Sequence, residues 1–175
     1  MTTPMSRLLP IVLTTLACTL APTTRAFGAD DVWEKFDLAK VAPNVRKTAR
    51  QWAPKLKFTE AFHQTSGTSD FYKLVGKDAQ ELENSVTVSG EGDILRLETE
   101  IRATDVPKPV AAALKTSRDE SLKEFKPTKI VKDVSNPNIK PPFIGYFFYG
   151  KNPDGEEIRV RITPDGKKVV VRLVD

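Results

Sequence analysis

Apolar and polar positions alternate through the C-terminal third of the chain. In "GYFFYGKNPDGEEIRVRITPDGKKVVVRLV", Tyr146, Phe148, Val160, Ile162, Val169, Val171 and Leu173 share one phase, while Phe147, Tyr149, Arg159, Arg161, Val170 and Arg172 share the other. A period of two is that of a strand with two unlike faces. It predicts strands over 143–150, 156–163 and 167–174, joined by "NPDG" and "TPDG", whose Pro, Asp and Gly suit tight turns. Upstream, "FYKLVGKDAQELENSVTVSGEGDILRLETE" predicts strands over 71–76, 81–89 and 93–101.

The two stretches align without gaps. Tyr72 falls on Tyr146, Gly76-Lys77 on Gly150-Lys151, Glu83 on Glu157, Val86 and Val88 on Val160 and Ile162, and Gly92 on Gly166. The correspondence continues backwards. "KFTEAF" (57–62) and "KPTKIV" (126–131) read as first strands, each preceded by a segment of helical periodicity. In the first segment Val41, Val45, Thr48, Ala49 and Trp52 share a face; in the second Val106, Val110, Ala113 and Leu114 do. Asp105 is placed to cap the second helix, with Pro107 and Pro109 in its first turn. The expected fold is α+β: two tandem repeats, each one helix packed on a four-stranded antiparallel meander sheet. The boundaries are 1–29 for an N-terminal leader, 30–101 for the first repeat and 102–175 for the second. A helix buries one face of such a sheet and leaves the other open.

"VPKPV" opening a helix, a Tyr-bearing strand, a strand of alternating apolar residues and a closing "DG" plus lysine hairpin resemble the PepSY-like domain. Pro107, Val110, Tyr146, Asp165, Gly166 and Lys167 carry the match. The first repeat diverges, with Ala42, Glu91 and Asp93 where the pattern has Pro, Asp and Lys. Tandem PepSY-like units behind a leader resemble β-lactamase-inhibitor-like proteins, which implies a secreted binding domain presenting a sheet surface to a protein partner.

The N-terminus has the layout of a secretion signal. Arg7 supplies a positive start, "LLPIVLTTLACTLAP" is an apolar run too short and interrupted to span a bilayer, and Ala26 and Gly28 fit a cleavage site before Ala29. Export to the periplasm or the medium follows. A rival reading takes "TLAC" as a lipid-attachment box with Cys18 as the anchor. Cys18 is the single cysteine, so cleavage at 29 leaves about 146 residues without a thiol, held together by their core. The pI of 9.1 overstates the basic character of that part. Removing Arg7 and Arg25 takes 27 Lys+Arg to 25 against 23 Asp+Glu, a net charge of +2. This gives no general electrostatic case for nucleic acid. No later apolar run is long enough for a membrane span.

Enzymatic chemistry finds few groups. His63 is the single histidine, there is no nucleophile-elbow pattern, no phosphate loop and no Cys/His zinc spacing. "EAFH" places Glu60 and His63 three apart, which shares a helix face but not a strand face. His63 therefore reads as a surface or strand-end residue, and the acidic turns as hairpins rather than calcium loops. The expectation is a protein that is not an enzyme and needs no cofactor or metal. What remains is the open sheet face. Phe147, Tyr149, Arg159, Arg161 and Arg172 are the candidate partner-binding residues, since interfaces favour aromatic and Arg side chains. The competing reading has the arginine stems simply laid over Phe147 and Tyr149. The corresponding positions of the first repeat, Lys73, Val75, Ser85, Thr87, Arg96 and Glu98, read as an ordinary solvated face.

Overall fold

A computed structural model describes residues 33–174. The leader, its cleavage site and Cys18 lie outside the described residues. The chain runs β1 (Glu34–Phe36), α1 (Pro43–Trp52), β2 (Lys57–Ser66), β3 (Ser69–Lys77), β4 (Glu83–Ser89), β5 (Ile94–Glu100), α2 (Lys108–Thr116), β6 (Lys126–Ser135), β7 (Phe143–Lys151), β8 (Glu157–Ile162) and β9 (Val169–Leu173). Among the described residues, all nine strands form one antiparallel sheet in sequence order.

Helix-then-four-strands therefore occurs twice in the element order, but not as two separate sheets. β5 pairs with β6, from Arg96↔Ser135 to Glu100↔Val131, and welds the halves together. The short edge strand β1, absent from the sequence expectation, extends the sheet by pairing Phe36 with Ala61. Three residues are too few to show a period, so the sequence carries no signal for β1.

Register repeats between the halves. Tyr72 pairs with Val88 and Tyr146 with Ile162; Lys77 pairs with Glu83 and Lys151 with Glu157. The first strand of each half carries a bulge at the same place, between Phe58 and Glu60 in β2 and between Pro127 and Lys129 in β6.

Both helices lie on the same face. Val45 and Ala49 of α1 pack with Val41 on Ala61, Leu74, Val86, Val88 and Ile94. Val110 of α2 packs on Ile130, Tyr146, Phe148, Ile158, Val160 and Ile162. Each fully buried aliphatic or Phe side chain contributes about 1.5–3 kcal/mol by leaving water. Two expected core positions lie elsewhere. Trp52 at the end of α1 is exposed, and Leu173 on edge strand β9 is 58% exposed, because among the described residues no element covers the sheet beyond β9.

The start of α2 also differs from expectation. Asp105 does not cap it: the residue closes a 3-10 turn over Ala103–Asp105, and the helix begins at Lys108 with Pro107 as its uncapped N-cap. Val106, preceding a proline, is held extended (φ −71°, ψ 127°), which carries the chain past Asp105 before the helix can begin. Among the described residues, no helix is long and apolar enough to cross a membrane.

Candidate functional site

Strand alternation leaves the second face of the sheet without a helix among the described residues. Its residues follow directly from register. Lys73, Thr87, Arg96 and Ser135 form one row across β3–β6; Val75, Ser85, Glu98 and Asp133 form the next; Val131, Phe147, Arg161 and Val170 lie in another; and Lys129, Tyr149, Arg159 and Arg172 in a fourth. The sequence expectation for the orientation of Phe147, Tyr149, Arg159, Arg161 and Arg172 matches this placement, all five lying opposite α2.

Exposure within that set is uneven. Arg161 and Arg172 are exposed and Tyr149 and Arg159 half-buried, but Phe147 is only 7% exposed. Three guanidinium groups account for this. Arg96, Arg159 and Arg161 stand 5.9, 5.7 and 5.6 Å from the centre of the Phe147 ring, within the range where a cation is drawn to an aromatic face. Gly145 makes room for one of them, since a side chain there would meet Arg161 Nε at 3.3 Å. Phe147 thus serves as a floor beneath the arginines rather than as a bare contact residue.

The first half of the face is not the ordinary solvated surface expected. Val75, Ser85 and Thr87 are buried, as are Val131 and Asp133. Long charged side chains roof the short ones. Glu98 is the hub: Lys73 Nζ lies 2.7 Å from its Oε2, Arg96 Nη2 3.3 Å from its Oε1, and the Ser85 hydroxyl donates to Oε2 at 2.8 Å. Arg96 Nε also donates to Asp133 Oδ1 at 2.6 Å, bridging β5 to β6, and Ser135 donates to the other Asp133 oxygen. Further along the face, Lys129 pairs with Glu83 at 2.7 Å.

These contacts set the protonation states. Burial pushes the Glu98 carboxyl up, but Lys73 and Arg96, with hydrogen bonds from Lys73 and Ser85, more than offset it and hold it below the usual carboxylate range. Burial likewise opposes the charge on Lys129, and Glu83 more than restores it. The Tyr149 hydroxyl is raised by burial and by Glu98, with Arg159 and Arg96 opposing.

The strand expected over 126–131 stops short of Asp133, which the structure places in the same strand, β6. Ile130-Val131 and Lys132-Asp133 break the apolar/polar alternation, so the sequence pattern gives no clear signal that the strand continues to Ser135. Phe143, 61% exposed at the start of β7, lies on the same face by alternation and forms its rim.

His63 is not a strand-end residue. It sits within β2 on the helix face, opposite Glu60, with its Nε2 3.0 Å from Asp70 Oδ1 and its ring packed against Phe36 and Tyr72. In the turns, Asp165 Oδ1 accepts from the Thr163 hydroxyl and Lys167 N, and Asn152 Oδ1 accepts from Glu156 N, so these polar groups close their own loops.

No family model and no curated protein matches the chain. Solved structures do resemble it. A BLIP-like protein of Bacteroides fragilis has 15% identity and a TM-score of 0.57, over 76% of this chain and 86% of that one. A DUF2874 family protein of Bacteroides uniformis has 12% identity and a TM-score of 0.59, over 76% and 89%. A "putative periplasmic" protein of Bacteroides eggerthii has 12% identity and a TM-score of 0.60, over 77% and 89%. At such identities the likeness is one of fold, and the chain has the BLIP-like fold; function must be argued from the site.

Proposed function

We propose that this is an exported, non-enzymatic binding protein, built from two copies of a PepSY-like unit, that docks a protein partner on the open sheet face. Inhibition of a secreted or periplasmic enzyme is one form such docking takes. The observation that carries the reading is the state of that face. Among the described residues it bears no helix, yet its centre is already desolvated and the charges over β3–β6 are fixed by Glu98, Asp133 and their partners. A platform ordered before binding gives up little conformational freedom when a partner arrives. The fold likeness to a BLIP-like protein and to a protein described as "putative periplasmic" supports the same reading. His63 has a packing role on the opposite face and no assigned chemistry.

A second reading, a structural or envelope-associated domain without a tight partner, is favoured by one observation: the arginines already have Phe147 to stack on. Affinity capture from the source cell envelope separates the two. Docking predicts recovery of a single protein by the wild-type chain, weakened about 30-fold or more by Tyr149→Ala with Arg161→Ala, as interface hot spots commonly cost 2 kcal/mol or more. His63→Ala should capture as well as wild type. Self-association without a captured protein would instead establish the structural reading, and an activity abolished by His63→Ala would reopen an enzymatic one.

A further inference from the structure

Charge on the open face is balanced over β3–β6 and unbalanced over β8 and β9. Lys73, Arg96 and Lys129 each have a carboxylate within 4.0 Å. Arg159, Arg161 and Arg172 form no ion pair with any described residue. Register nevertheless gathers them: Arg159 pairs with Arg172 across β8 and β9, and Arg161 follows Arg159 by two residues on the same strand face. Cross-strand neighbours stand about 5 Å apart and i, i+2 neighbours about 7 Å apart, so three like charges occupy one small area.

Arg96 shows what the sheet does with an arginine whose role is internal. It shares the Phe147 ring with Arg159 and Arg161, but it is also neutralised by Asp133 and Glu98. The other three lack that neutralisation, and the Phe147 ring backs two of them, Arg159 and Arg161. A guanidinium held this way presents a planar fork suited to a carboxylate.

We infer that the β7–β9 part of the open face takes an acidic protein segment: an extended stretch with at least two carboxylates about 7 Å apart, seated on Arg159, Arg161 and Arg172 beside Tyr149. This rests on the docking reading above and specifies the chemistry of its partner. The basic outer side of α1, with Arg46, Lys47 and Arg50, lies on the other face of the sheet and provides an internal control for unspecific anion binding.

The test is an amide NMR titration of the full, isotope-labelled chain with a synthetic Thr-Glu alternating heptapeptide, its Thr-Gln analogue and an oligodeoxythymidylate of equal charge. The Glu peptide should shift amides of β7–β9, weaken with added salt, and lose about tenfold or more in affinity with Arg161→Gln or Arg172→Gln, two exposed positions whose variants should keep the dispersed spectrum of the folded chain, with changes local to Phe147 for Arg161→Gln. The Gln peptide should shift nothing. Absence of shifts, shifts confined to α1, indifference to the arginine variants, or tighter binding of the oligonucleotide at the same residues would each overturn the proposal. Equal binding of the Gln peptide to β7–β9 would overturn the acidic preference while leaving docking on this face intact, so the two ideas fail separately.

Discussion

Gly166 shows how a single residue can tie a hairpin to a helix. Its φ of +72° already disfavours a side chain, and a Cβ there would stand 2.5 Å from the Pro109 carbonyl oxygen at the start of α2. Gly155 has a similar φ of +84° with nothing within 4 Å. Gly155→Ala should therefore cost only the left-handed backbone penalty, about 1–2 kcal/mol, and Gly166→Ala a further 1–3 kcal/mol, roughly, for overpacking. Urea denaturation of the two variants measures the difference; equal midpoints would mean that the β8–β9 turn does not bear on α2. Glu98 makes a different residue-scale prediction. Its folded carboxyl titrates below the ordinary value of 4.5, so its contribution is fully present above that value and is lost as pH falls through the lower folded one. Glu98→Gln should destabilise by about 2 kcal/mol at pH 7, and the gap to wild type should hold down to about pH 4.5 and close below it. A gap that widens in acid would mean that the carboxyl is raised, with burial outweighing Lys73 and Arg96.

At the scale of elements, β8 has the clearest division of labour. Ile158, Val160 and Ile162 are buried beneath α2, while Arg159 and Arg161 serve the other face. One-residue slippage would exchange the two sets, so burial pins the register and the register places the arginines. Val160→Asp puts an unpaired carboxylate at a position with no solvent exposure. The cost is several kcal/mol, about the whole margin of a small domain, and should abolish a cooperative melting transition seen by circular dichroism near 25 °C and above. α1 and α2 differ little in how they are started: both have a proline in the first turn and neither has a side-chain cap. Their stability therefore comes from the sheet beneath them, as is usual for helices of about ten residues.

Across the whole molecule, the decisive feature is the seam between β5 and β6. A continuous ladder, with Arg96 reaching across it to Asp133, joins two helix-covered halves into one sheet. Both tryptophans, Trp33 and Trp52, lie in the first half. If the seam makes unfolding cooperative, Val160→Asp in the second half should also shift the tryptophan fluorescence of the first towards that of the unfolded chain. Fluorescence that still reports a native first half, with its own transition, would show that the halves fold independently.

Local signals were enough for the strands of both meanders, the two helices and the two faces of β7–β9, because period and turn chemistry are properties of neighbouring residues. That Gly92 and Gly166 each sit in a hairpin turn was visible for the same reason. What lay beyond reach depended on pairing between distant segments. That β5 joins β6 follows from no local pattern, and without it Asp133 has no reason to meet Arg96, or Arg96 to meet Phe147. Alternation could place Phe147 on the open face. Only the tertiary structure could bury it there, since its covering comes from Arg96, 51 positions upstream, as well as from its own neighbours Arg159 and Arg161. The side of the sheet on which a residue stands is decided by its strand; what covers it is decided by the rest of the chain.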